Sequence, residues 1–184
     1  MSLARALHRW TRAEYDRMVE TGVFEPEARL ELLDGEIIEM SPQKSPHATA
    51  VNLIAEALRG GFGTGPSIRG QMPLTLDDAS EPEPDVAVVK GNIRDYADHH
   101  PSSAVLVVEV VDTTLVYDRL NKAAAYARNA IPEYWILNLR DRRLEVYRRP
   151  SHGVYAERTL LSTGETTSPL AAPGLWVEIA ALLP

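Results

Sequence analysis

The chain contains no cysteine, which excludes disulfides, thiolate metal centres and a cysteine nucleophile. Its five histidines include no His-Glu-x-x-His spacing, so zinc chemistry of that type has no carrier. No run of 18 apolar residues occurs, so no membrane span is expected. Met1 to Trp10 hold Arg5, His8 and Arg9 but lack the apolar stretch of a signal peptide, which points to the cytoplasm. Positive charge is scarce: 19 Lys and Arg stand against 26 Asp and Glu, for a net charge of −7. That balance disfavours non-specific attraction of nucleic acid to the whole surface, without excluding a local basic strip. Internal repeats and low-complexity blocks are also missing. A length of 184 residues suits one domain with a sizeable core.

What is present is a succession of short elements with clear punctuation. Thr11 and Glu14 fit a capping box that opens a helix to about Glu20, with Gly22 as its stop. Asp34-Gly35 lies between Leu30–Leu33 and Glu36–Met40 and is a strong hairpin signal. Ser45-Pro46 reads as N-cap and first residue of a helix whose buried face is Val51, Ile54, Ala55 and Leu58, ended by Gly60-Gly61. Strands are expected at 67–76, 85–89 and 104–111, a loop at 90–103 and a helix over roughly 118–129. Further strands follow at 134–137, 144–149 and 154–161, with a short helix at 177–183. The helix between Val111 and Tyr134 suggests a right-handed crossover between parallel strands, and hence an α/β fold with a mixed central sheet.

Four residues, Glu109, Asp85, Lys122 and His47, carry the chemistry, with Glu31 as a fifth candidate. Glu109 sits in Val105–Val111, the most apolar run in the chain, and alternation places it with Val105, Val107 and Val111 on one face. A carboxylate there needs a proton, a cation or a metal ion. Asp85 heads a second apolar run, Val86–Val89. Two acids on neighbouring buried strands with a lysine, Lys122, on the following helix form the kind of site that holds a divalent cation for phosphodiester chemistry. His47 lies at a helix start, on the face of Val51, and Glu31 alternates with Leu33 in the hairpin.

Each residue also has a plainer reading. Glu109 pairs with an arginine or with backbone donors, and Asp85 is a turn residue at a strand mouth. His47 is a satisfied core histidine, and Glu31 a cross-strand surface acid. For Lys122, helical spacing puts Leu120, Ala123, Ala124 and Ala127 on one side. The lysine falls nearly opposite with Asp118 and Tyr126, as a surface Asp118–Lys122 pair. The strip from Arg140 to Arg149 holds five arginines against two acids. It reads as a solvated edge hairpin or as a phosphate-contacting patch.

Leu30–Ile37, Met40-Ser41-Pro42, His47 and Pro84-Asp85-Val86 resemble, in order and spacing, successive motifs of the Uma-two restriction endonuclease family. The resemblance continues through Val107–Val110, Asp112-Thr113-Thr114, Tyr117-Asp118-Arg119, Lys122, Tyr126 and Ile131–Trp135. That family resembles the PD-(D/E)XK nuclease superfamily. The resemblance implies a restriction-endonuclease-like mixed central sheet flanked by helices, with an N-terminal helix and β-hairpin. It implies one domain over 1–184: the helix and hairpin extension at 1–44, the core at 45–139, and additional strands and tail at 140–184. Asp85 and Glu109 correspond to the two acids of the motif. The usual lysine two positions after the second acid is replaced by Val111, and Lys122 stands in its place on the following helix.

The function implied is a Mg²⁺- or Mn²⁺-dependent endodeoxyribonuclease, with Asp85, Glu109 and the Val110 carbonyl on the metal. Lys122 would orient the attacking water or meet the phosphorane charge, and Glu31 or His47 would hold outer waters. DNA is the implied substrate and a homodimer the implied assembly. A catalytically inactive nucleic-acid-binding or interaction module on the same scaffold is the competing expectation, with another metal hydrolase or a small-ligand binder ranked behind it.

Overall fold

A computed structural model describes residues 7–184. The first six residues, which include Arg5 of the stretch read above for a signal peptide, lie outside the described residues. Thr11 and Glu14 form the capping box: the Thr11 N–H donates to Glu14 Oε2 at 2.8 Å and the Glu14 N–H donates to Thr11 Oγ1 at 3.3 Å. They start α1, Arg12–Glu20. The hairpin of β1 (Leu30–Leu33) and β2 (Glu36–Glu39) turns on Asp34 and Gly35, both at positive φ, 51° and 75°. This is the pairing that a two-residue turn between right-twisted strands requires. Leu32 and Glu81 exchange backbone hydrogen bonds of 3.3 and 2.7 Å, which bind the hairpin to the segment leading into Asp85.

The core follows the order helix, three strands, helix, strand. It comprises α2 (Ser45–Phe62), β3 (Ser67–Gly70), β4 (Val86–Val89), β5 (Leu106–Val111), a composite helix and β6 (Glu133–Asn138). The composite helix runs from α3 (Leu115–Tyr117) through a π-turn (Asp118–Lys122) into α4 (Ala123–Arg128). β7 (Arg143–Ser151) and β8 (Val154–Ser162) extend a six-stranded sheet of order β3-β4-β5-β6-β7-β8. Only the β5–β6 pair is parallel, as the intervening helix suggested. β9 (Thr166–Thr167) and β10 (Val177–Glu178) pair separately, and a 3₁₀ turn at Ile179–Leu182 ends the tail.

Both faces of the central strands are covered, which is why β4, β5 and β6 read as nearly continuous apolar runs, whereas β8 at the margin is mostly exposed. The α2 stripe Ala50, Val51, Ile54, Ala55 and Leu58 packs on Val86, Val88, Leu106, Val108 and Val110. On the other face, Ala123 and Tyr126 lie over Ala87, Val89, Val107 and Val111. Among the described residues, no helix is long and apolar enough to cross a membrane.

Several boundaries differ from the expected ones. The N-cap of α2 is Lys44, without a side-chain cap, and Ser45 and Pro46 are its first helical residues. Proline's fixed φ and missing N–H cost nothing in the first turn, so the helix starts without the serine's help. Gly60 and Gly61 do not end α2, which continues to a C-cap at Gly63 (φ 65°). Gly61 is glycine for packing, because a Cβ there would collide with Leu175. β3 ends at Gly70 because Gln71 turns to φ 52° and donates its N–H to the Pro84 and Asp85 carbonyls. The arginine strip is no edge: β7 lies inside the sheet and β8 forms its margin. In the tail, Ile179 and Leu175 pack on the core, whereas Trp176 stays exposed.

The two adjacent glycines of α2 make opposite predictions. Gly60 has open space around its missing Cβ, so Gly60→Ala should raise stability by about 0.5–1 kcal/mol through helix propensity. Gly61→Ala gains the same propensity but overpacks Leu175, and should be net destabilising by about 1–2 kcal/mol. Urea midpoints of the two variants decide this; a stabilised Gly61→Ala would contradict the packing account.

Candidate active site

Pro84 delivers the chain extended, so Asp85 stands just before β4, beyond the last β4–β5 pair, Val86–Val108. That position sets it beside Glu109. The Asp85 N–H donates to Glu109 Oε2 at 3.3 Å, and the Val110 N–H donates to Asp85 Oδ2 at 2.8 Å. His47 Nε2 lies 3.1 Å from the same Asp85 oxygen, and Gln71 Nε2 donates to Oδ1 at 3.2 Å. Glu109 Oε1 accepts from Lys122 Nζ at 3.0 Å and from the Tyr126 hydroxyl at 2.8 Å. Lys122 Nζ also pairs with Glu31 Oε2 at 3.1 Å, an oxygen that accepts the Glu83 N–H at 3.1 Å.

A cleft of about 510 Å³ opens over this network. All five residues selected from the sequence line it: Glu31, His47, Asp85, Glu109 and Lys122. Val110 lines it as well. The N–H and C=O of one strand residue face the same edge. The Val111 carbonyl accepts from Leu139 on the β6 side, so that of Val110 faces the Asp85 side, past the end of the ladder.

The composite helix buries Ala123 and Ala127 of the expected face but exchanges Leu120 for Asp118, Lys122 and Tyr126 on its inner side. Leu120 is 64 % exposed, whereas Asp118 and Lys122 are 4 % and 7 % exposed and Tyr126 is fully buried. Asp118 and Lys122 are therefore not a surface pair, and Glu31 is no surface acid at 2 % exposure. Magnitudes explain the exchange. Leaving one leucine in water forfeits about 1.5–3 kcal/mol. Leaving two buried carboxylates without a cation costs several kcal/mol per ion.

The electrostatics follow from this arrangement. Burial pushes the Glu109 carboxyl upward, against the pull of Lys122, and three donors on its two oxygens favour the carboxylate. Burial opposes the charge on Lys122, but Glu109, Glu31, Asp118 and Asp85 together hold its ammonium well above the ordinary lysine range. Burial also raises Asp118. For Asp85, burial is outweighed by the hydrogen bond and charge of His47 and by the Val110 N–H, so its carboxyl lies low. The same hydrogen bond raises His47.

Other strand acids of this protein are treated differently. Glu145 on β7 is fully buried and bound by Arg119, Arg158 and the Tyr147 hydroxyl. Glu133 on β6, equally buried, is bound by Arg148, the Trp135 indole and the Leu170 N–H. No arginine reaches Asp85, Glu109 or Asp118 among the described residues. Among the described residues, Asp118 Oδ2, the Tyr117 hydroxyl and His47 Nδ1 are buried with no partner, all in residues that line the cleft. Asp118, Tyr126, Gln71 and Glu83 were not selected from the sequence. The spacing Asp118, Lys122, Tyr126 does put them on one helical face, whereas Gln71 arrives through a backbone turn with no local signature.

Among the described residues, no three acidic or histidine side chains converge as a ready metal shell. The donor set nevertheless suits a hard cation that keeps most of its waters, which needs only one or two carboxylates and a carbonyl. The carboxylates in the cleft outnumber its buried cations, and one carboxylate oxygen has no partner at all.

The model of the Uma2 family, described as "Putative restriction endonuclease", matches residues 12–181 of this chain. Among solved structures, a "putative nuclease belonging to DUF820" from Anabaena variabilis is similar at 16% identity and a TM-score of 0.75, over 94% of this chain and 96% of that one. The type IIG restriction endonuclease BpuSI is similar at 16% identity and a TM-score of 0.45, over 74% of this chain and 15% of that one. The first likeness confirms the nuclease-like fold. No curated protein matches.

Two stability outcomes follow from the geometry. Lys122→Met should cost about 3–5 kcal/mol by stranding two buried carboxylates, and adding Glu31→Gln and Glu109→Gln should recover a large part of it. Urea unfolding of the single and triple variants tests this. The His47–Asp85 pair should be pH-dependent in a defined window. A lowered Asp85 contributes above its ordinary pKa of 3.8 and is lost as pH falls. A raised His47 contributes fully below 6.5 and is lost as pH rises through its folded value. The stability difference between the protein and His47→Gln should peak near about pH 5 and shrink above about pH 7. A pH-independent difference would contradict the pairing.

Proposed function

The chain belongs to the Uma2 family, and we propose that it is a divalent-metal-dependent endonuclease hydrolysing DNA phosphodiester bonds. The observation that carries this reading is the contrast between its strand acids: Glu133 and Glu145 are closed off by arginines, whereas Asp85 and Glu109 in the cleft meet only His47, Lys122 and neutral donors, beside an Asp118 oxygen that has no partner among the described residues. Asp85, Glu109 and the Val110 carbonyl are the groups proposed to hold Mg²⁺ or Mn²⁺. Such an ion, when bound, polarises the phosphate and acidifies a water.

The chain's own side chains would do the rest. Lys122, held charged by the surrounding carboxylates, opposes the charge that grows on the phosphate oxygens. Asp85 fixes the His47 ring through Nε2, while Nδ1 is buried without a partner among the described residues. Glu31 holds Lys122 in place from the hairpin side. A homodimer belongs to the same proposal, since two copies would serve the two strands.

A second reading has its own observation. Asp85 and Glu109 each already face a cation of the chain, His47 and Lys122, and the fully buried Val111 occupies the place of the usual motif lysine. A binding module without catalysis satisfies those contacts too. Nicking of supercoiled plasmid with Mg²⁺ or Mn²⁺ separates the two. The nuclease reading expects nicking that chelator stops and that Asp85→Ala reduces at least about 10³-fold. No cleavage of any DNA form, or full activity in the Asp85→Ala protein, removes it.

A further inference from the structure

The basic strip read from the sequence as one patch is divided by the fold. Arg148 is spent on Glu133 and the Ser168 carbonyl, and Arg149 pairs with Glu157 at 3.0 Å. Arg140 and Arg142, by contrast, line the cleft and have no acidic partner within ion-pair distance among the described residues. Their turn is fixed. The Asp141 N–H donates to Asn138 Oδ1 and Asn138 Nδ2 donates to Asp141 Oδ2, both at 3.0 Å, with Asn138 buried at the end of β6. Arg142 itself holds a left-handed backbone, φ 53°, which an arginine adopts at a cost.

Arg29 lines the same cleft, also without an acidic partner, while Lys44 at its mouth is taken by Asp112 at 3.2 Å. Deeper in, the buried Tyr117 hydroxyl has nothing to donate to. Burial raises its pKa, so it stays protonated and a donor. Unpaired guanidinium groups on the rim and an unsatisfied hydroxyl donor inside ask for one kind of ligand, an oxyanion that is carried on a chain and spans both.

We propose that Arg140 and Arg142, on the turn between β6 and β7, with Arg29 facing the same cleft and the Tyr117 hydroxyl within it, form the subsite that holds the DNA phosphodiester backbone beside the scissile bond. This rests on the nuclease reading and adds the path of the strand: over the β6–β7 turn and into the cleft towards Lys122. It also gives a chain of net charge −7 a local site for a polyanion, with Arg29, Arg140 and Arg142 around one opening.

The test is anisotropy of a fluorescent DNA duplex with the full chain in Ca²⁺, which allows binding to be read apart from cleavage, at several salt concentrations. Arg140→Gln with Arg142→Gln should weaken binding at least about tenfold and reduce the log–log salt slope by about 2, one phosphate contact per arginine. Arg143→Gln, exposed on the same strand strip but outside the cleft lining, is the control and should change little. Tyr117→Phe should weaken binding without changing the slope. Equal losses in the control, an unchanged double variant, or binding confined to an RNA duplex would overturn the assignment. So would absence of DNA binding by the unmutated chain. Arginine-dependent binding without plasmid nicking would uphold the subsite and sink catalysis, whereas nicking with an unchanged double variant would do the reverse.

Discussion

The ammonium of Lys122 between Glu109 and Glu31 is the contact on which the rest of this protein depends. It joins three separately folded pieces: the hairpin, the central strand β5 and the composite helix. An uncompensated carboxylate in β5 would oppose the packing of the whole sheet. Compensated by a lysine, with the Tyr126 hydroxyl and the Asp85 N–H beside it, it keeps a charge partner at the floor of the cleft. One ammonium cannot satisfy every oxygen around it, and the remainder define the cleft.

The sheet supplies the precision. Asp85 and Glu109 are linked by backbone register, because the β4–β5 ladder stops at Val86–Val108 and leaves Asp85 beside Val110. Their separation is therefore set by strand pairing, which is stiffer than any loop. The helix contributes reach. Its π-turn brings Asp118 and Lys122 together on the inner face at the expense of exposing Leu120. π-turns of this kind are frequent at functional sites, and here the gain is a cation buried where two acids meet.

Glu133 and Glu145 show how the same chemistry looks when it serves stability alone. Each is held through both oxygens by arginine and further donors, Glu133 by Arg148 and the Leu170 N–H and Glu145 by Arg119 and Arg158. The cleft acids Asp85 and Glu109 share that burial and are also hydrogen-bonded on both oxygens, but their cations are a histidine and a lysine instead of arginines, and the neighbouring Asp118 keeps one oxygen without a partner among the described residues.

Local patterns in the sequence determined the element order, the hairpin turn, the α1 capping box and the exposure of Glu109 to an apolar environment. Each follows from residues close in the chain: Asp34-Gly35, Thr11 with Glu14, and the period-two run around Glu109. The acids Asp85 and Glu109, with Lys122, Glu31 and His47, were also selected there, and the fold brings all five to one cleft. Local spacing could not say which face of the 115–128 helix turns inward, since that depends on carboxylates far away in the chain. Nor could it show that Glu145, set in an arginine-rich strip, is buried as deeply as Glu109. Partners such as Arg119, Arg158 and Gln71 come from other strands and turns, and only the tertiary structure decides which acid they reach.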